Sequence, residues 1–193
     1  MVNNWINIIQ DYWLPPTCIL CDSPGYRHWD ICFDCYNDLP RNLLCCPQCA
    51  AYYSNSEDTV PICGDCLARN PAFDRTFGFF KHQHTIRYLN SQLKYQRQFK
   101  IARLFGLLLA EEISHQTDLP QAIIPVPLHP QRYRERRFNQ SEEIGKTLAK
   151  QLHLPLLQQH CIRQLNTPHQ TELSRRERHS NMRNAFTIVK PIP

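Results

Sequence analysis

Four Cys-x-x-Cys pairs lie in the first third of the chain: Cys18-Ile19-Leu20-Cys21, Cys32-Phe33-Asp34-Cys35, Cys46-Pro47-Gln48-Cys49 and Cys63-Gly64-Asp65-Cys66. Each pair brings two sulfurs to one side of a tight turn, and two pairs complete the tetrahedral four-sulfur shell of structural Zn²⁺. Serial pairs in zinc ribbons combine locally. We therefore expect two zinc ions, the first on Cys18, Cys21, Cys32 and Cys35, and the second on Cys46, Cys49, Cys63 and Cys66.

Disulfide formation and redox chemistry explain these cysteines less well. Residues 1–16 contain no secretory signal, and a thioredoxin-like motif would supply one pair, not four in series. Cys45 adjoins Cys46 and could replace it as a ligand, but the spacing to Cys49 favours Cys46. Cys161 stands alone and is predicted to be a small buried hydrophobic residue.

The cysteine-rich segment, residues 1–70, has few aliphatic runs and many turn-forming residues. A segment of this size cannot bury enough apolar surface to fold unaided, so bound metal is expected to supply the folding energy. Before the first pair, the apolar spacing between Trp5 and Trp13 predicts a short amphipathic helix. Residues 1–70 are therefore predicted to form a double zinc ribbon with a short N-terminal helix.

The positive charge is concentrated in the second half of the chain. Residues 1–70 carry 3 basic and 8 acidic side chains, whereas residues 131–183 carry 11 and 5. Each zinc centre with four thiolates would add about −2 to the first segment, so the basic half is the better candidate for an anionic ligand. The strongly apolar stretch Leu104–Ala110 is too short to span a bilayer. A cytoplasmic protein without membrane insertion is expected.

Residues 71–193 have the alternating pattern of an α/β domain. Strand, loop, helix and strand in succession are typical of a parallel sheet that binds ligands at its carboxyl edge. Asn139 is a candidate helix cap. The predicted strands are Phe73–Phe80, 122–127 and 186–189, and the predicted helices are 85–95, 101–113, one that follows Asn139, and 173–182.

The motifs of this second part resemble the competence protein F (ComF) family. They are Ile124-Pro125-Val126-Pro127-Leu128-His129-Pro130, Arg132, Arg134-Glu135-Arg136-Arg137-Phe138-Asn139-Gln140, Arg163, Thr167-Pro168, Gln170, Leu173-Ser174, Glu177-Arg178, Asn181 and Ala185-Phe186. The resemblance implies a type I phosphoribosyltransferase-like parallel-sheet domain and a role in DNA uptake during natural transformation, or in related sugar and nucleotide metabolism. Such domains also contain an acidic pair and a Thr-Thr-Gly loop for phosphoribosyl pyrophosphate (PRPP), which this sequence lacks. The domain is therefore expected to be incomplete at its C-terminal end, and magnesium with PRPP is expected only in a complete domain.

The resemblance also implies the positions of an anion site. Five residues after Pro127 would surround the diphosphate: His129, Arg132, Arg134, Arg136 and Arg137. A flexible loop that closes over the site would contain Arg163, Thr167 and Gln170. No catalytic residue is assigned. The family usually has glycine where this chain has Arg137, so arginine would be strained there if the position requires a positive φ.

Two functions remain open at this point. The first is a phosphoribosyltransferase-type protein that acts in DNA uptake. The second is a non-catalytic, zinc-dependent module that binds single-stranded DNA or a protein of the competence machinery. The arginine-rich loop favours the first function, and the absent PRPP loop favours the second. The coding sequence beyond codon 193 would distinguish a fragment from a short natural form.

Overall fold

The computed structural model describes residues 15–54, 60–69, 71–116, 118–167 and 174–192. The chain divides into two compact units, one that ends at Arg97 and one that begins at Gln98. The predicted domain boundary at residue 70 stays a prediction. The predicted N-terminal helix between Trp5 and Trp13 lies outside the described residues, as does Gln170 of the predicted flexible loop.

The described residues of the first unit form three helices. They are α1 (Phe33–Asn37), α2 (Gly64–Arg69) and α3 (His84–Gln96). The helix predicted over residues 85–95 is confirmed as α3, which buries Ile86, Leu89 and Leu93 on one face. This spacing of three and four residues places the three side chains above one another, so one stripe of the helix is apolar.

The strand predicted over Phe73–Phe80 is wrong. This segment has no regular strand, and only Phe80 forms an isolated bridge, with Arg41. Its backbone bonds go to separate parts of the cysteine-rich region: Thr76 N–H donates to the carbonyl of Gln48 at 2.7 Å, and Lys81 N–H donates to the carbonyl of Pro40 at 2.8 Å. Because these partners are not on one strand, no ladder forms despite the alternating aromatic residues.

The second unit has its core between two long helices. Its first three helices are α4 (Phe99–Ser114), α5 (Pro130–Arg136) and α6 (Gln140–Leu152). Helices α4 and α6 are in close contact at Gly106, where an added Cβ would lie 2.5 Å from the Cβ of Thr147 and 2.9 Å from the carbonyl oxygen of Ile144. The helix predicted from Ile101 is confirmed, and Asn139 caps α6 by accepting a hydrogen bond from Ser141 N–H at 3.1 Å.

The remaining elements are β1 (Cys161–Arg163), α7 (Arg175–Asn181) and β2 (Phe186–Ile188). Strands β1 and β2 pair antiparallel, with Arg163 opposite Phe186. The predicted polar helix is confirmed as α7 over its described part, and the last predicted strand is confirmed as β2.

The predicted buried strand over residues 122–127 is reduced to one parallel bridge, between Ile123 and Leu156. Pro125 and Pro127 have no N–H to donate, so the ladder cannot extend beyond this bridge. The described residues therefore form a mixed helix and strand fold with one two-stranded sheet. These strand contacts do not form the predicted phosphoribosyltransferase-like parallel sheet within the described residues, so that sheet stays a prediction. Within the described ranges, no helix combines the length and the hydropathy needed to cross a membrane.

Candidate metal centres and anion site

The first cysteine cluster combines the pairs that begin at Cys18 and Cys32. Its four sulfurs lie within 4.8 Å of one another. The Sγ of Cys21 is 3.6 Å from the Sγ of Cys32 and 3.6 Å from that of Cys35. Zn–S bonds of about 2.3 Å place the sulfurs of a tetrahedral shell about 3.8 Å apart, whereas a disulfide requires about 2.05 Å. The geometry therefore fits a zinc ion and not disulfides.

The second cluster combines the pairs that begin at Cys46 and Cys63, with its four sulfurs also within 4.8 Å of one another. The Sγ of Cys49 is 3.6 Å from that of Cys63. Cys46 belongs to this cluster, and among the described residues Cys45 does not. All ten cysteines are free thiols. The structure thus brings together the same two sets of four cysteines that the spacing indicated, and both sets fit zinc.

The same backbone turn forms the first half of each cluster. The N–H of the first cysteine donates to the carbonyl five residues later, and its carbonyl accepts from the N–H four residues later. These bonds are Cys18 to Ser23 at 2.7 Å, Asp22 to Cys18 at 2.9 Å, Cys46 to Ala51 at 2.9 Å and Ala50 to Cys46 at 2.9 Å. Asp22 and Ala50 both have positive φ, of 60° and 57°. The two centres are therefore structural repeats of one ribbon.

The second half of each cluster lies at a helix start. Cys32 caps α1, where Cys35 N–H donates to the Sγ of Cys32 at 3.5 Å, and α2 begins directly after Cys63. In addition, Cys63 N–H donates to the Sγ of Cys46 at 3.3 Å. Backbone N–H groups at a helix N-terminus stabilise a thiolate, so this placement favours the charge state that a metal needs.

The acidities within each cluster are unequal. Hydrogen bonds from Ser23 lower the pKa of Cys21 to about 6. Burial acts in the opposite direction at Cys46, but backbone N–H groups, including that of Cys63, outweigh it and lower the pKa of Cys46 to about 6. Burial raises the pKa of Cys35 and of Cys66. One thiolate per cluster thus forms readily, and a bound dication would promote loss of the remaining protons.

Helix α5 carries the predicted anion-binding residues. His129 caps its start, where its Nδ1 accepts a hydrogen bond from Gln131 N–H at 3.3 Å. Arg132 forms an ion pair with Glu135 at 3.1 Å. Arg136 donates to the Oε1 of Gln140 at 3.5 Å. The two other predicted residues, Arg134 and Arg137, are exposed.

The positive charge of Arg163 in β1 interacts with the charges of Arg132 and Arg136, and we call these three residues the arginine cluster. The guanidinium of Arg163 lies 5.7 Å from the ring centre of Phe186 and donates to the Oγ1 of Thr167. Burial, followed by the positive charges of Arg132 and Arg136, lowers the pKa of Arg163. The structure therefore brings part of the predicted flexible loop next to the predicted anion-binding helix.

Two buried donors at this place have no hydrogen-bond partner within the described part of the chain: Nε of Arg163 and Nε2 of Gln140. A buried donor without a partner costs about 1–3 kcal/mol, so each requires a reason. Gln140 belongs to the motif quoted above, but no role was predicted for it. A glutamine directly after a helix-capping asparagine is ordinary, so no signal in the sequence distinguished Gln140.

A cleft of about 370 Å³ adjoins the arginine cluster within the second unit. Its walls are residues 127–130 on one side and residues 158, 159 and 161–164 on the other, and Arg163 is one of them. Asn166 Nδ2 donates to Oε1 of Gln131 at 2.7 Å, which ties the segment after β1 to α5. Cys161, predicted to be buried, is half-buried and lines this cleft.

The two four-cysteine clusters place this protein in the class of double zinc ribbon proteins. Its second unit is a mixed helix and strand domain with a candidate anion site. Consistent with this class, a family model described as the double zinc ribbon domain matches residues 9–67.

Similarity to known proteins extends over most of the chain. The chain is 33% identical over 185 residues to DNA utilization protein YhgH of Escherichia coli O157:H7, and the aligned residues cover 93% of this chain and 80% of that protein. The same values hold for the Shigella flexneri protein of that name. Competence protein F of Haemophilus influenzae is 31% identical over 174 residues, covering 82% of this chain and 76% of that protein. The chain belongs to the competence protein F family. No solved structure matches it.

Proposed function

We propose that this protein is a phosphoribosyltransferase-type member of its family that acts in DNA uptake. Its relatives are named for DNA utilization and competence. The observation that carries the proposal is that Arg163 and His129 line one cleft, where Asn166 ties the segment after β1 to Gln131 of the arginine-rich helix α5. Guanidinium groups repel one another, and a phosphate or diphosphate between them would turn this repulsion into charge-assisted hydrogen bonds.

The arginine cluster suits the leaving group of a phosphoribosyl transfer. When the bond between ribose and diphosphate breaks, negative charge develops on the diphosphate, and fixed positive groups stabilise it. In this proposal Arg132 and Arg136 hold the diphosphate from α5, with His129, Arg134 and Arg137 around it. Magnesium bound with PRPP would neutralise part of that charge, provided the whole domain is present.

The segment after β1 would exclude water from the transferred group. Arg163 holds Thr167 by a hydrogen bond, and Asn166 holds Gln131 of α5. A parallel-sheet phosphoribosyltransferase-like arrangement of the second unit is part of the proposal, and Gln170 belongs to the same closing segment. Closure matters because water competes with the acceptor for an oxocarbenium-like ribose.

The zinc ions have a structural role in this proposal. Each would be held by four cysteines, and a closed shell leaves no coordination position for a substrate or a reactive water. The metal would supply the folding energy of the ribbons. The cytoplasm fits such a protein, because thiolates remain reduced there. Single-stranded DNA is the proposed macromolecular partner of the basic second unit.

A non-catalytic role in binding a protein of the uptake machinery is the second candidate. It is supported by two side chains near the second cysteine cluster, Leu43 and Leu67, which are 80% and 71% exposed. In this candidate function, the two leucines would belong to an apolar surface that the partner protein covers. Replacing both with serine would lower partner binding in this case without changing affinity for diphosphate.

Titration calorimetry with inorganic pyrophosphate tests the anion site on the full, zinc-loaded chain. Arg163→Ala is expected to lower the affinity at least tenfold, because it removes a charge-assisted contact worth about 1.5–3 kcal/mol. Lys150→Ala, which removes one exposed positive charge from α6, serves as the matched control and should change the affinity less than about twofold. Equal affinities for all three proteins would contradict the anion site.

Complementation tests the role in DNA uptake. In a Haemophilus influenzae strain without competence protein F, the wild-type chain is expected to restore transformation. The double variant Arg136→Ala, Arg163→Ala should fail if the anion site is required. Full restoration by this variant would refute the catalytic proposal and favour the partner-binding alternative, which Leu43→Ser with Leu67→Ser would then test.

A further inference from the structure

The two cysteine clusters differ in how far solvent reaches their ligands. Of the eight predicted ligands, Cys21 is exposed, whereas the other seven are buried or half-buried. We infer that Cys21 is a redox modification site: hydrogen peroxide oxidises it, a disulfide forms within the first cluster, and this cluster then loses its zinc while the second keeps its own. The inference goes beyond the proposed function, because it requires only that the two clusters hold zinc.

Cys21 and Cys49 have equivalent positions, because each is the second cysteine of the first pair in its ribbon. Both lie in the same backbone turn, with Asp22 and Ala50 at positive φ directly after them. The turn itself therefore does not explain why one sulfur is exposed and the other is half-buried. The difference must come from what packs against each turn.

In the second ribbon, the turn packs against the segment that precedes α3. Thr76 N–H donates to the carbonyl of Gln48, the residue before Cys49, at 2.7 Å. A Cβ added at Gly78 would lie 3.0 Å from the Cβ of Ala50, the residue after Cys49. The segment thus lies against both neighbours of Cys49 and limits the access of solvent to its sulfur.

The corresponding turn of the first ribbon is open to solvent. Asp22, Ser23 and Pro24, which follow Cys21, are all exposed. Buried structural cysteines are inert, whereas oxidation selects thiolates that solvent reaches. A cysteine that binds zinc is deprotonated. Cys21 therefore combines the two properties that make a sulfur reactive.

Two sulfurs lie close enough to complete a disulfide with Cys21. The Sγ atoms of Cys32 and Cys35 are each 3.6 Å from its Sγ. The Cys21 thiolate would attack one oxygen of hydrogen peroxide, the O–O bond would break, and hydroxide would leave, which yields a sulfenic acid. A neighbouring thiolate then attacks this sulfur, the S–S bond forms, and a second hydroxide leaves. Two protons from solvent convert both hydroxides to water, so each sulfur has lost one electron and the peroxide has gained two.

The disulfide would leave the first cluster with two thiolates, too few for the four-sulfur shell of structural zinc. Because the metal supplies the folding energy of so small a ribbon, its loss should unfold the first ribbon. A thiol reductant reverses the step, since thiolate exchange reopens the disulfide. The first ribbon would thus respond to peroxide reversibly, and the second would keep its metal.

Zinc release into a chromogenic chelator tests the inference on the full chain loaded with two zinc ions. Cys45→Ser and Cys161→Ser remove the two thiols that are not predicted ligands, so every remaining thiol belongs to a cluster. In excess hydrogen peroxide, one zinc per chain is expected to leave about tenfold faster than the other. Peptide mass mapping after this first phase should find Cys21 in a disulfide with Cys32 or Cys35. Dithiothreitol with added zinc should restore two ions per chain.

Thr76→Pro tests the cause of the difference between the clusters. The substitution removes the N–H that donates to Gln48 and changes no ligand. It should speed release of the second zinc by roughly threefold, the effect of losing one hydrogen bond, and leave the first phase unchanged. Thr76→Ala keeps this N–H and is the matched control, so both phases should be those of the parent chain. Zinc content before oxidation verifies that both variants fold.

Three outcomes would overturn the inference: release of both ions at the same rate, a first phase whose disulfide lacks Cys21, or a folded Thr76→Pro variant whose second phase is unchanged. Fewer than two zinc ions before oxidation would refute both the inference and the structural role of zinc. Pyrophosphate binding by the second unit does not depend on this step, so failure of the inference is distinguishable from failure of the proposed function.

Discussion

Arg137 ends helix α5 in a backbone conformation that favours glycine. Its φ is 64° and its ψ is 7°, and its N–H donates to the carbonyl of Tyr133 at 2.6 Å. A left-handed conformation costs an ordinary residue about 1–2 kcal/mol. Glycine avoids this cost but loses about 0.5–1 kcal/mol through the greater freedom of the unfolded chain. Arg137→Gly should therefore raise the free energy of unfolding by a net amount of about 0.5–1 kcal/mol.

Arg134→Gly is the matched control. It removes the same exposed charge from the same helix, but at a residue inside α5, where glycine costs about 1 kcal/mol. The two variants should therefore differ by about 1.5–2 kcal/mol with opposite signs. Urea unfolding followed by circular dichroism at 222 nm measures the difference, and hydrogen exchange of peptides from α4 and α6 assigns it to the second unit. Equal destabilisation by both variants would refute the argument from backbone strain, because the lost charge would then explain the result.

Three further predictions concern packing, metal and DNA. Gly106→Ala should destabilise the second unit by about 1–2 kcal/mol, as measured by urea unfolding. Overpacking costs about 1–3 kcal/mol, and the higher helix propensity of alanine offsets up to about 1 kcal/mol of it. The control Gly64→Ala, whose added Cβ meets nothing within 4 Å, should be nearly neutral. Elemental analysis should find two zinc ions per chain, and chelation should unfold the ribbons as reported by Trp29 fluorescence; one ion per chain, or disulfides, would contradict this. For single-stranded DNA, alanine at Arg134, Arg136 and Arg137 should lower the slope of log affinity against log salt by roughly 0.7 per lost phosphate contact. The control triple is alanine at Arg69, Arg75 and Arg87 in the first unit, and an equal loss of slope there would show that the ribbons bind the strand.

The sequence was most informative where spacing alone determines geometry. A two-residue gap between cysteines allows few backbone turns, so the two clusters could be predicted without knowledge of the fold. The apolar positions of α3 and α4 likewise define one face of each helix. These signals are local, because ligand spacing and helical periodicity involve residues within a few turns of one another.

The first two strand predictions failed because pairing depends on distant partners, whereas the third was confirmed as β2. The alternating segment Phe73–Phe80 has the composition of a strand, but its backbone bonds go to several separate residues of the cysteine-rich region. Around Ile123 the apolar run is real, but the prolines at 125 and 127 remove the donors that a ladder needs. Composition indicates that a segment can be extended, and the available partners determine whether it joins a sheet.

Prediction of the candidate site was limited in the same way, because contacts between residues distant in sequence could not be derived from local patterns. Arg132 and Arg163 are far apart in sequence, and only the resemblance to a family placed them in one site. The structure supports that placement through the charge interaction between them. Gln140 was missed as a site residue because glutamine at a helix start is ordinary in sequence. Only the burial of its unpartnered Nε2 distinguishes it.

Helix α5 separates its arginines by the helical period. Arg132 and Arg136 are four residues apart and share a face, whereas Arg134 is two residues from each and is directed away from them. The chain must leave the helix directly after Arg136 for Phe138 to be buried against Phe99, at 5.1 Å between ring centres, and for Gln140 to reach Arg136. The left-handed turn at Arg137 accomplishes this exit. Its strain is therefore a consequence of ending α5 where the two inward arginines and Gln140 can converge, and a longer helix would rotate the next residues away from that convergence.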